Sequence, residues 1–144
     1  MSDQQDPVHQ VLASYRAAVF AKDVSAFIAL YADDLHVFDM WGHWSLRGID
    51  AWRRLVVDWF ASLRDERVVV TFDEVELLQH GDLAIGHAFV EYAAIDAEGR
   101  PLRSLENRLS IALRKSGGEW KILHEHTSAP IDHASAKAIF KRRG

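Results

Sequence analysis

Cysteine is absent from the 144-residue chain, which excludes disulfides, thiolate metal sites and a cysteine nucleophile. No glycine-rich phosphate loop, dinucleotide fingerprint or serine elbow occurs, which argues against chemistry on ATP or a nicotinamide. No apolar run approaches membrane-spanning length. Excess positive charge is also missing: the formal net charge of −4 argues against a nucleic-acid or anionic-membrane surface. The short basic end, Lys141, Arg142 and Arg143, reads as a solvated tail. Residues Met1 to Asp6 are polar and acidic, the opposite of a secretory leader, and with the missing cysteine they point to a cytoplasmic protein. The length suits one domain, 1–144 with its core over about 7–130, large enough to need no covalent staples.

What is there changes period part-way along. Val8, Val11, Leu12, Tyr15, Ala18 and Val19 recur at helical spacing behind Asp6-Pro7, a capping carboxylate followed by a first-turn proline. Asp23 can cap a second short helix burying Phe27, Leu30 and Tyr31 and ended by Asp33-Asp34. A short strand is expected over 35–41. Behind Gly48 and Asp50, Trp52, Leu55, Val56, Trp59, Phe60 and Leu63 form the apolar stripe of a third helix. Long β-rich segments follow at 67–79, 83–95, 102–114 and 120–128, separated by short turns that imply antiparallel hairpins. Asp132 is placed to cap a final short helix running to Phe140.

Helices first and a strand meander after them predict an α+β fold: a cone of three N-terminal helices packed on a strongly curved antiparallel sheet around a pocket. On the strand carrying Leu109, Ile111 and Leu113, the alternate residues Arg108, Ser110 and Ala112 also read as half buried. A homodimer or larger homo-oligomer through the outer face is therefore expected.

Asp39 shares a strand face with Leu35, Val37 and Trp41, where a carboxylate is costly unless it is paired or used. It reads either as a general base with a raised pKa or as a structural carboxylate bonded to backbone or an arginine. Tyr15 continues the first helix's core stripe, so its hydroxyl needs an interior partner. Arg108, on one face with Glu106 and Ser110, either binds an anionic ligand or closes a salt bridge to Glu106, Asp39 or Glu91. His124 and His126 project from one face. They read as exposed or core-satisfied histidines or as part of a ligand site; a metal site would also need Asp39 or His36 to converge with them. Trp41 and Trp44 are expected near the cavity mouth, where a ring can meet a flat ligand.

The run Tyr31-Ala32-Asp33-Asp34-Leu35-His36-Val37-Phe38-Asp39-Met40-Trp41-Gly42 resembles the matching stretch of bacterial ketosteroid isomerases and SnoaL-like proteins, within the nuclear transport factor two-like superfamily. The resemblance implies a cofactor-independent isomerase or cyclase, with Asp39 as the proton-shuttling aspartate and Tyr15 as the oxyanion-binding tyrosine. It puts Ser110, or alternatively Asn107, at the second oxyanion position. The second half resembles the association domain of calcium/calmodulin-dependent protein kinase two, through Gly99-Arg100-Pro101, Ser104, Glu106, Arg108 and the run from Gly118 to Pro130. That likeness implies a cavity-directed Arg108 and the alternative of a non-catalytic oligomerisation or binding module. Either way the expected partner is a small molecule, anionic or carbonyl-containing.

Overall fold

The computed structural model describes residues 6–142. Helix α1 (Pro7–Ala21) starts where Asp6 accepts hydrogen bonds from the His9 amide at 2.8 Å and from His9 Nδ1 at 2.7 Å. It ends at Lys22, whose φ of 54° closes the last turn. Asp23 caps the five-residue α2 (Val24–Ile28) through the Ala26 amide at 3.0 Å. The chain then goes straight into β1 (Tyr31–Phe38). Asp33 and Asp34 therefore lie inside a strand rather than ending a helix, and β1 begins earlier and ends earlier than the expected 35–41. Their exposed carboxylates sit on the part of β1 that faces water, and Asp34 pairs with Arg114 at 3.0 Å.

The two-residue β2 (Leu46–Arg47) and α3 (Ile49–Leu63) follow. Gly48, with φ of 87°, takes the N-cap position without a side-chain bond, and α3 buries Trp52, Val56, Phe60 and Leu63. Strands β3 (Arg67–His80), β4 (Leu83–Ile95), β5 (Pro101–Ser116) and β6 (Glu119–Ser128) then form an antiparallel meander.

The six strands form one sheet in the order β2-β1-β6-β5-β4-β3. It is mixed, not antiparallel throughout, because β1 lies parallel to β6 with Val37 opposite Glu125. Hairpin signals report only neighbours in the chain, and this pairing joins its two ends. A bulge between Asp73 and Glu76, where Glu74 adopts φ of 53°, bends β3. One face of the sheet packs on the helices. Its inward residues include Val68 and Val70 on β3, Ala84, Ala88, Val90 and Ala94 on β4, and Leu109, Ile111 and Leu113 on β5. The other face keeps Leu78, Leu83 and Ile85 exposed.

At Gly86 α1 lies close against the sheet. A Cβ there would stand 2.7 Å from Val8 Cγ1, and Val8 is fully buried. Gly86→Ala should cost about 1–3 kcal/mol in urea unfolding through overpacking; a neutral result would mean that α1 can slide outward freely.

The expected C-terminal helix does not form. Asp132 instead accepts from the Ser135 amide at 3.0 Å and its hydroxyl at 2.8 Å, Ala136 takes φ of 59°, and Ile131 bridges Ala138. The first part of β5 lies beyond the end of β6, and its open edge is met by this segment: the Glu106 amide donates to the Phe140 carbonyl at 2.7 Å. Arg142 is anchored rather than freely solvated, reaching Glu106 at 3.0 Å, Asp73 at 3.1 Å and Glu74 at 3.2 Å, with its guanidinium 4.3 Å from the Phe89 ring centroid. Lys141 bonds the Ser104 hydroxyl. Arg143 and residues 1–5 of the acidic N-terminus lie outside the described residues.

Candidate active site

Between the helices and the concave face lies a cavity of about 610 Å³. Its walls are mostly apolar, from Trp52, Leu55, Trp59 and Leu63 on α3 and Val68 and Ala94 on the sheet. Polar groups gather at one end: Tyr15, Asp39, Tyr92, Asn107, Glu125 and Thr127.

Asp39 reaches it because β1 alternates: Leu35 and Val37 point inward, and Asp39 continues their side just past the strand's end. Thr127 Oγ1 donates to Asp39 Oδ1 at 3.1 Å and accepts from the Met40 amide at 3.2 Å. Burial raises the Asp39 pKa, opposed by the bonds from Thr127 and the Met40 amide and by nearby His43. Tyr15 enters from the buried stripe of α1, and its hydroxyl lies 3.0 Å from that of Tyr92 on β4. Burial raises both phenols above their ordinary range, helped by the Glu125 carboxyl; their mutual hydrogen bond adds to the rise at Tyr15 and opposes it at Tyr92. Only one proton can lie between two phenol oxygens, so one of the two hydroxyls has its hydrogen available to a ligand.

Glu125, on the inward side of β6, is 2% exposed and accepts from the Tyr31 hydroxyl at 2.6 Å. Burial pushes its pKa up to about 7, against the Tyr31 bond and with the help of Asp39. Beside it Asn107 Nδ2 donates to Met40 Sδ at 3.3 Å, while Asn107 Oδ1 is buried without a partner. The cavity end thus holds two carboxyls of different character: Asp39 near the opening, and Glu125 uncharged below neutral pH.

Of the residues singled out in the sequence, Asp39, Tyr15, Trp41 and Asn107, the alternative second oxyanion candidate, line this cavity; Trp41 also stacks on Phe140 at 5.5 Å and 29°. Arg108 and Ser110 do not. They alternate with inward Asn107, Leu109 and Ile111, so both are exposed on the opposite face, where Arg108 Nε donates to Ser128 Oγ at 3.1 Å. His124 and His126 share that outer face, around Phe38. His124 Nδ1 donates to the His36 carbonyl at 2.6 Å, and neither imidazole lines this cavity, although His126 and Asp39 both line a second, separate pocket. Trp44 is 97% exposed and lines no part of the cavity.

The SnoaL-like domain model matches residues 8–132. The chain belongs to this family. No curated protein sequence matches it. Among solved structures, this SnoaL-like chain is similar to an NTF2-like protein of unknown function from Pseudomonas putida KT2440, at 26% identity and TM-score 0.83, covering 95% of this chain and 94% of that one. Its fold is shared by Aln2 from a Streptomyces species, at 13% identity and TM-score 0.74 over 85% of this chain and 87% of that one. It is shared too by ActVI-ORFA from Streptomyces coelicolor, at 14% identity and TM-score 0.74 over 85% and 93%. Among the described residues of this SnoaL-like domain no helix is long and apolar enough to cross a membrane.

Proposed function

We propose that this SnoaL-like protein binds a small, largely apolar carbonyl compound and acts on it as a cofactor-independent isomerase or cyclase. The observation that carries the reading is that a partly desolvated carboxylate, Asp39, and a phenol pair with one available hydrogen, Tyr15 and Tyr92, line one cavity. Asp39 takes a proton from the carbon next to the carbonyl, and its raised basicity suits that step near neutral pH. The C–H electrons move onto the carbonyl oxygen, where the phenol's hydrogen bond stabilises the enolate. Asp39 then returns the proton to a different carbon, which isomerises the substrate, or the enolate carbon attacks a second carbonyl and Asp39 gives its proton to the alkoxide so formed, which closes a ring. Tyr92 takes the supporting place that sequence alone had offered to Arg108 or Ser110, whose exposure on the far face removes them from this role.

The test is proton exchange at carbon. With 2-tetralone in deuterium oxide, the wild-type protein should speed α-deuteration, read by proton NMR. Asp39→Asn should lower the rate by about 100-fold or more, and Tyr15→Phe by less. Exchange at the wild-type rate in Asp39→Asn would remove the base and with it the reading.

A further inference from the structure

The proposed reaction leaves Glu125 unused, although it is the most deeply buried carboxyl of the site. A buried acid is normally matched by a cation or a full set of donors. Here Tyr31 occupies Oε1, and the other oxygen has no hydrogen-bond partner among the described residues. Asn107, 6% exposed and lining the same cavity, leaves Oδ1 as a second unpartnered acceptor. The buried donor nearby, Trp52 Nε1, has no partner in hydrogen-bonding geometry, and its N–H favours the charged form of Tyr31 rather than reaching Glu125. Among the described residues, what the floor lacks is a cation.

The charges point the same way. Asp39, Asp58 and Glu125 line the cavity, and the one lysine or arginine among its lining residues, Arg103, is turned to Glu66 at 2.6 Å. The walls supply aromatic faces from Trp52, Trp59, Tyr15 and Tyr92. A protonated primary amine has three N–H donors, no acceptor and a positive charge that aromatic faces attract.

We infer that the cavity floor is an ammonium site: the ligand carries a protonated primary amine on an apolar body, paired with Glu125 and donating to Asn107 Oδ1. An anionic ligand, one of the options read from the sequence, is disfavoured, because among the described residues no free cation lines the cavity to meet it. The groups facing Glu125 are Tyr31 on β1, Tyr15 on α1, Tyr92 on β4 and Asp39; none supplies a positive charge. In the empty site Glu125 keeps its proton up to about pH 7. The amine therefore displaces that proton as it binds, and affinity weakens as pH falls below neutral.

The inference rests on the cavity being the ligand site, but not on turnover. Calorimetry would use 2-(2-naphthyl)ethylamine, the matching alcohol 2-(2-naphthyl)ethanol and the anion 3-(2-naphthyl)propionate. The amine should bind at least about tenfold more tightly than the alcohol, and the carboxylate not measurably. Between pH 8 and pH 6 amine affinity should fall about tenfold, with proton release seen as a dependence of the heat on the buffer's ionisation enthalpy. Glu125→Gln should lose about tenfold or more of amine affinity and flatten its pH dependence. The inference is overturned if the amine fails to bind at millimolar concentration, if the alcohol or the carboxylate matches it, or if Glu125→Gln binds it unchanged. Amine affinity that rises as pH falls overturns it too, because Glu125 would then be a neutral donor. Amine binding without α-deuteration of 2-tetralone would sink the catalytic reading alone, whereas α-deuteration with a failed amine test would sink this inference alone.

Discussion

Glu125→Gln should raise the melting temperature by roughly 10 °C at pH 8 and leave it almost unchanged at pH 4. The carboxyl titrates near 4.3 in an unfolded chain and at about 7 when buried in the fold. A raised folded pKa means that its contribution to stability is fully present below about pH 4.3 and is lost as pH climbs to 7. Above pH 7 the folded protein holds an ionised carboxylate with no cation beside it, at a cost of about 4 kcal/mol relative to acid conditions. Glutamine keeps the carbonyl that accepts from Tyr31 and carries no charge at any pH, so it escapes the loss. Thermal melts followed by circular dichroism at pH 4 and pH 8 measure the gap. A gap of the same size at both values would mean that water or a cation already reaches Glu125. A protein that tolerates such a strained carboxylate holds it against its own stability, as binding sites commonly do.

The second large effect is expected in the aromatic core that backs the site. Phe27→Ala should destabilise the fold by about 3–5 kcal/mol in urea unfolding. Helix α2 has only five residues, too few to be stable by itself, and its main structural product is to deliver this one ring. Phe27 is fully buried, with ring centroids at 4.9 Å from Tyr15, 5.4 Å from Tyr31, 5.8 Å from Phe60, 6.2 Å from Trp59 and 6.4 Å from Trp52. Removing it leaves a hole behind the Tyr15 and Tyr31 phenols and behind two walls of the cavity, Trp52 and Trp59. The same variant should therefore lose α-deuteration of 2-tetralone more than its residual folded fraction explains. A cost below about 1 kcal/mol would show that the surrounding rings collapse into the space.

How far the sequence announced these features depended on whether the signal was local. Period-2 alternation and glycine turns located β3 to β6 to within a residue or two, and the Asp6-Pro7 start of α1 was legible from capping chemistry alone. The alternation on β5 also held the answer on Arg108: Leu109, Ile111 and Leu113 point inward, so Asn107 must and Arg108 cannot. Family resemblance had suggested the opposite face, and the plain pattern was the better guide. Tyr92 was findable in the same way, two residues beyond inward Val90. Glu125 was not. Ile122 and Glu125 are both buried although three residues apart, because the β5–β6 register shifts between Ala112 and Leu113 and switches the side on which β6 presents its residues. The parallel contact of β1 with β6 was equally hidden, since no turn connects them.

That parallel contact also fixes when the site can exist. Asp39 hangs from the end of β1, whereas Thr127 and Glu125, which hold and surround it, are on the last strand. During synthesis, a chain lacking its final two dozen residues could build the helices and most of the meander, yet its acidic floor would still be missing. Contacts between such distant segments close late, after the entropy of the intervening loop has been overcome. Chemical competence should consequently arrive only once β6 has docked beside β1, which protects an emerging chain from engaging small molecules before its shell has set.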